Sequence, residues 1–234
     1  MRAAHVLKSL ADPLLPTGPS LRTIPLGLAR GLRMEIDFSY QSRLYLGVFE
    51  SELAPWYRRF CTPGATCFDV GAREGYVALA LAKLSGDGRV VAFEADRIEY
   101  ERLRRNIAAN PALAPAVEAR HARVTGRAAD DRSDVTLDDA AFEDGQPLPD
   151  LVKLDVEGWE LEALRGGARL LEKHRPHLVV ETHSAKLEVG CLELLRGHGY
   201  APRVVEPRRW LAEVRAGHNR WLAAEGSPGR IGRG

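Results

Sequence analysis

The sequence predicts an α/β fold built on an open, mostly parallel sheet, and three observations carry that expectation. From Cys67 onward, short apolar runs alternate with stretches of helical periodicity, as repeated strand-helix units do. The first of these runs, ending Phe68-Asp69-Val70, enters a glycine turn, Gly71-Ala72-Arg73-Glu74-Gly75, and leaves as a helix at Tyr76. The next run, Arg89 to Phe93, stops on an acid, Glu94. In open α/β sheets a glycine turn after one strand and an acid at the tip of its neighbour mark a nucleoside site.

The elements follow in order. Residues 1–27, rich in Pro and Gly, read as a poorly ordered or loosely docked extension. Gly31 to Tyr40 alternates apolar and polar residues like a short strand or hairpin arm. Ser51 to Phe60 has helical spacing, with Leu53, Trp56, Tyr57 and Phe60 recurring on one face. Cys67 to Val70 is a buried strand, Tyr76 to Leu84 a helix stopped at Ser85-Gly86, and Arg89 to Phe93 the second strand. Asp96 opens a helix, with Glu99 at capping-box spacing, that ends before Pro111. A third strand is expected around Val117-Glu118-Ala119, and a single amphipathic helix over Leu161, Leu164, Ala168 and Leu171. A further helix runs from Ala185 to His198 with Gly199 as its stop. Ala201 to Val205 and Asn219 to Ala223 are two closing strands joined by a connection with no obvious helix, so an antiparallel pairing is expected. The division is an N-terminal extension and strand arm over 1–45, a catalytic domain over 46–225 and a disordered tail over 226–234.

The glycines of the turn are four apart, so the G-x-G-x-x-G dinucleotide fingerprint is absent, and a nucleoside other than NAD is favoured. Gly71 and Gly75 let the backbone turn and let a ligand approach. A ligand carboxylate could meet the free N–H groups of the helix that follows. Glu94 is placed to accept hydrogen bonds from a ribose diol.

With a formal charge of +1 and interspersed signs, the chain lacks the basic stripe of a dedicated nucleic-acid binder. The Arg102-Leu103-Arg104-Arg105 cluster reads as a solvated helix face. Cys61, Cys67 and Cys191 have no metal-finger or disulfide spacing and read as buried small hydrophobes in a reduced, cytoplasmic setting. No stretch approaches a membrane span or a signal-peptide core.

The glycine turn and Glu94 resemble motif I and the following acidic position of class I S-adenosylmethionine-dependent methyltransferases. A second segment narrows the likeness. Leu151-Val152-Lys153-Leu154-Asp155-Val156-Glu157-Gly158-Trp159-Glu160, then Leu164 to Ala168 and Pro176 to His183, resembles the signature of the FkbM family, and the likeness runs from about Leu46 to Ala223. The resemblance implies a Rossmann-like fold with a seven-stranded, mostly parallel sheet, a C-terminal antiparallel strand and helices on both faces. It implies S-adenosyl-L-methionine as cofactor and a small-molecule or glycan acceptor, most often a hydroxyl. Carried over by residue, Asp69, Gly71, Ala72, Gly75 and Tyr76 line the methionine end, Glu94 and Ala95 hold the nucleoside, and Asp155 lies beside the sulfonium. Glu157 and Glu181 face the same crevice, and Trp56 or Tyr57 touches substrate from a covering helix. Between the third strand and Val135 the chain is shorter than the family pattern, so His121 and Asp130 stand only as candidate adenine contacts.

Methyl transfer from a sulfonium needs alignment and, for a hydroxyl acceptor, a base within reach. His183, after the fifth strand, is the expected base, with Asp155 as its catalytic companion; a histidine that only stabilises a turn is the competing reading. Asp138, Asp139, Asp155, Glu157 and Glu181 form an oxygen-rich set of the kind that suits magnesium, but no metal ligand is assigned. Transfer to a carboxylate or amine, or a non-catalytic cofactor-binding module, are the alternatives.

Overall fold

A computed structural model describes residues 18–129, 133–143, 145, 147–206 and 219–228. The chain divides into two compact units at Ser51/Glu52.

In the first unit, β1 (Ser20–Thr23) and β2 (Arg33–Ile36) form an antiparallel hairpin in which Ser20 faces Ile36. A four-residue helix, α1 (Ser42–Tyr45), follows. Leu32, Met34 and Ile36 alternate inward, so the pattern read as a strand arm finds its partner in residues assigned to the loose extension. That corrects the reading of 18–27: Ile24 is fully buried, with its N–H donated to Leu32 at 2.8 Å and its carbonyl accepting from Gly31 at 2.8 Å. Residues 1–17 lie outside the described part.

The second unit opens with α2 (Ala54–Phe60) and then builds the sheet. β3 (Thr66–Val70), α3 (Tyr76–Ser85), β4 (Arg89–Glu94), α4 (Arg97–Ala108) and β5 (Val117–His121) follow as strand-helix units. A small parallel pair, β6 (Arg123–Val124) with β7 (Asp134–Val135), leads to α5 (Leu137–Phe142). Then come β8 (Leu151–Leu154), α6 (Glu160–Arg165), α7 (Ala168–Lys173), β9 (His177–Thr182) and α8 (Ala185–Gly197). β10 (Arg203–Val205) and β11 (Arg220–Ala224) close the sheet.

The seven strands lie in the order β10-β11-β9-β8-β3-β4-β5. β11 runs antiparallel to both neighbours, and the pairs from β9 across to β5 are parallel. The chain winds outward from β3 through β4 to β5, then returns to β8 on the other side and winds the opposite way. Right-handed crossovers in opposite directions place helices on both faces. One face of each central strand is apolar throughout, and Phe68, Val70, Val91, Phe93, Val152, Leu154, Leu178 and Val180 share one continuous core, while the opposite face of β3 and β8 carries the buried Asp69 and Lys153.

Two local expectations are corrected. The helix after Gly158 is two helices, because the chain breaks at Gly166-Gly167 to pack against the strand end near Thr125; a Cβ on Gly166 would lie 2.3 Å from the Thr125 carbonyl oxygen. In the basic cluster, Arg104 is solvated, but Arg102 is only 7% exposed and lies on Glu99 at 3.0 Å. That contact leaves Asp96 alone to cap α4, accepting from Ile98 and Glu99 N–H groups. No described helix is long and apolar enough to cross a membrane.

The winding reverses between β3 and β8, and the two backbones meet there. Asp155 N–H donates to Val70 at 3.0 Å. Gly71 has φ +76°, and a Cβ on it would lie 1.8 Å from the Asp155 carbonyl oxygen. Neither the conformation nor the contact admits a side chain. Gly71→Ala should therefore cost about 2–4 kcal/mol in urea denaturation. A variant as stable as the parent would show that this contact is not as drawn.

Candidate functional site

The site sits where the winding reverses, outside the carboxyl ends of β3 and β8, which is where open α/β sheets bind ligands. Its floor is an ammonium. Lys153 points from β8 beneath the Gly71 turn, is 2% exposed, and donates to the Gly71 carbonyl at 3.1 Å. It pairs with Asp69 at 3.5 Å and Asp155 at 3.4 Å. Asp69 is fully buried, and burial pushes its carboxyl above the usual range while Lys153 pulls it back.

Above this floor is a cavity of about 310 Å³ that includes Val70, Gly71, Phe93, Glu94, Asp155 and Val156 in its wall. That volume is at the lower end of small-ligand clefts, roughly 300–1,000 Å³. Glu94 ends β4, and its two oxygens each accept a backbone N–H at 2.7 Å, one from Arg73 and one from Asp96. Burial raises its pKa, opposed by those two N–H groups. Gly71 and Ala72 N–H groups both donate to Phe93 at 3.0 Å, so the glycine turn is tied to β4 and its shape is set in advance. At the mouth Arg73 and Glu157, both in the left-handed region with φ 49° and 44°, approach to 3.8 Å. Such conformations in non-glycine residues concentrate at functional sites. The Arg123 guanidinium lies 5.8 Å from the Trp159 ring centroid across the same wall.

On the far side of Asp155 is a second cluster. His183, just beyond β9, places Nε2 at 3.6 Å from Asp155 Oδ1 and 3.9 Å from Glu181 Oε2, while Nδ1 is hydrogen-bonded to Glu160. Burial lowers the His183 pKa, but the Glu160 hydrogen bond and the charges of Glu160, Glu181 and Asp155 outweigh it and hold the imidazole above its usual value. Asp155, Glu181 and His183 each offer one donor atom within 4.8 Å of the others, a spacing that would accept a cation. Positive charge is already supplied beside Asp155 by Lys153.

Residues 117–216 match the sequence profile of the methyltransferase FkbM domain. Over that stretch, which is less than half of its length, the chain is similar to this domain. That match spans β5 to the region beyond β10 and contains the Lys153-x-Asp155 floor and both halves of the His183 cluster. The likeness is to a methyltransferase domain. Solved structures share the fold. Methyltransferase FkbM from Methylobacillus flagellatus is 18% identical with a TM-score of 0.56, over 82% of this chain and 56% of that one. An S-adenosylmethionine-dependent O-methyltransferase from Thermotoga maritima is 15% identical with a TM-score of 0.53, over 75% and 64%. Aeropyrum pernix fibrillarin, solved with natively bound S-adenosyl-L-methionine, is 12% identical with a TM-score of 0.52, over 71% and 68%. The chain thus spans less than two thirds of the first two. No curated protein matches it.

Within the site, the structure gathers some expected residues and separates others. Gly71, Glu94, Ala95, Asp155 and Glu157 line the cavity. Ala72, Gly75 and Tyr76 are buried behind it, and Asp69 lies under Lys153. His183 and Glu181 sit together across Asp155. Trp56 and Tyr57 are not in the cavity wall. Trp56 packs on Phe60, which stacks on His177 at the amino end of β9, and Tyr57 is 2% exposed. His121 Nε2 donates to the Ala95 carbonyl at 3.1 Å and its ring stacks on Tyr100; Asp130 is outside the described residues. Asp138 and Asp139 do not join the acidic crevice. Asp138 accepts the Arg169 and Leu170 N–H groups at the start of α7, and Asp139 forms a capping box with Thr136. Sequence reasoning missed the roles of Arg73, Arg123, Trp159 and Lys153, and gave Glu160 no site role beyond the signature that contains it.

Removing Lys153 tests the floor. Asp69 has a native pKa raised above its unfolded value, so it holds its proton more tightly when folded, and stability falls as pH rises through that window. Without Lys153 the native pKa rises further. Lys153→Met should lose about 3–5 kcal/mol at pH 7 and recover part of it at pH 5. Denaturation curves showing a loss that is the same at both values would contradict this.

Proposed function

We propose that this methyltransferase transfers a methyl group from S-adenosyl-L-methionine to a hydroxyl of a small metabolite, glycan or lipid-linked sugar. The observation that supports this most is the position of Asp155. It lines the nucleoside-sized cavity on one side and faces His183 Nε2 at 3.6 Å on the other, so cofactor and acceptor sites share one carboxylate.

The residues fit the cofactor. Glu94 offers a ribose diol the lone pairs that its two backbone N–H partners leave over. Phe93, Ala122, Val124 and Val156 give the cavity an apolar part suited to a base, and Trp159 adds an aromatic face. Asp155 and the Gly71 turn face the methionine end, where carboxylates favour a cationic sulfur. S-adenosyl-L-methionine supplies a methyl group on a sulfonium, already activated for displacement. The protein's part is then to align the acceptor oxygen and take its proton. His183 Nε2 is the base, and Asp155 and Glu181 stabilise the imidazolium that results. The three buried thiols, none in a disulfide, suit a reducing, cytoplasmic setting.

Calorimetric titration checks the cofactor half. Glu94→Ala should bind S-adenosyl-L-methionine about 10- to 100-fold more weakly, the worth of one or two hydrogen bonds to a charged group. Unchanged affinity would remove Glu94 from the site. For the acceptor half, His183→Ala should lower kcat by about 100-fold or more with a hydroxyl acceptor, the usual contribution of a general base. Full turnover in that variant would point to an acceptor that carries no proton, such as a carboxylate.

A further inference from the structure

Glu160 is an acid with no exposed surface, an environment that carboxylates rarely occupy unless paired. It opens α6, and its Oε1 accepts from the Gly158 N–H at 2.9 Å and from His183 Nδ1. Its Oε2 is buried with no hydrogen-bond partner among the described residues. Oε1 already accepts the Gly158 N–H and so stands as the acceptor of the pair, which assigns the proton shared with His183 to Nδ1. When His183 is neutral, its lone pair is therefore on Nε2, the nitrogen that faces Asp155 and Glu181. Among the described residues, the acids near the ring other than Glu160 face its Nε2 side. Asp155 after β8 and Glu181 on β9 both lie on the Nε2 side, and Cys191 of α8, whose thiol burial and then the Glu160 charge push up to about 12, stays neutral.

We propose that Glu160 is the positioning residue of the site, fixing His183 as the Nδ1–H tautomer with Nε2 open toward the acceptor oxygen. The proposal rests on the reading of His183 as the base. A histidine oriented this way by a buried acid can take a proton only at Nε2, so Glu160 sets which face of the ring is basic. It also holds the ring in one rotation, which matters because alignment is the main demand of the reaction. The same residue has a second duty, since its bond from the Gly158 N–H closes the turn that carries Glu157 and Trp159 to the cavity wall.

Imidazole nitrogen NMR on the full chain labelled with 15N-histidine and saturated with S-adenosylhomocysteine tests this, with His183 assigned by the signal lost in His183→Gln. Wild-type His183 should show a protonated Nδ1 and an unprotonated Nε2 above its pKa. Glu160→Leu, which removes the acceptor, should release the ring toward the Nε2–H form. Glu160→Gln keeps an acceptor and should preserve the tautomer, but it should lower the His183 pKa by about 1–2 units as the negative charge is lost. If Glu160→Leu does not fold, the pKa drop in Glu160→Gln decides. A wild-type Nε2–H tautomer, or nitrogen shifts and pKa unchanged in the variants, would overturn the role of Glu160 alone. Wild-type turnover in His183→Ala would overturn the base reading, and the positioning role with it.

Discussion

The buried ammonium of Lys153 is the interaction on which the rest of the site depends. Its Nζ lies between the carboxylates of Asp69 and Asp155 and donates to the Gly71 carbonyl, so a single cation joins the ends of β3 and β8 where the sheet reverses its winding. Three polar partners from two strands are what make a charge at this depth tolerable. The arrangement leaves Asp155 oriented upward at the strand tip, where both ligands must pass it.

From that point the site divides. On one side the Gly71 turn is tied to Phe93, and Glu94 is held by two backbone N–H groups, so backbone hydrogen bonds set the shape of the cavity. On the other side the groups are titratable: His183, Glu181 and Glu160 around a half-buried imidazole. A pre-shaped cavity for the nucleoside and a proton-handling cluster for the acceptor, sharing Asp155, are the two needs of methyl transfer to a hydroxyl.

The legible part of this design was the part in which backbone geometry dictates residue type. Gly71 is glycine because a positive φ and the Asp155 backbone leave no room for a Cβ, and Glu94 stands out because an acid ends an otherwise apolar strand. The antiparallel closure at β11 was legible for a similar reason, as a short connection whose sequence shows no helical spacing argues against a crossover. Other features depend on long-range packing that local pattern does not carry. Helical spacing showed that Trp56, Tyr57 and Phe60 share a face, but not that this face meets His177 at the amino end of β9. Ala122 and Val124 have no distinguishing chemistry until the fold brings them beside Glu94. Lys153 reads as one polar residue in a buried strand, and its role appears only when β3 is placed next to β8. Glu160 follows a glycine turn, as capping acids do, and nothing in the sequence shows that His183 is its partner.

The account turns on Asp155 as the residue common to both halves, and a crystal structure with bound S-adenosylhomocysteine tests that most directly. The prediction is a ribose on Glu94 and a sulfur in contact with Asp155, on the side that opens toward His183. A nucleoside bound elsewhere, or a sulfur separated from the His183 cluster by protein, would contradict it.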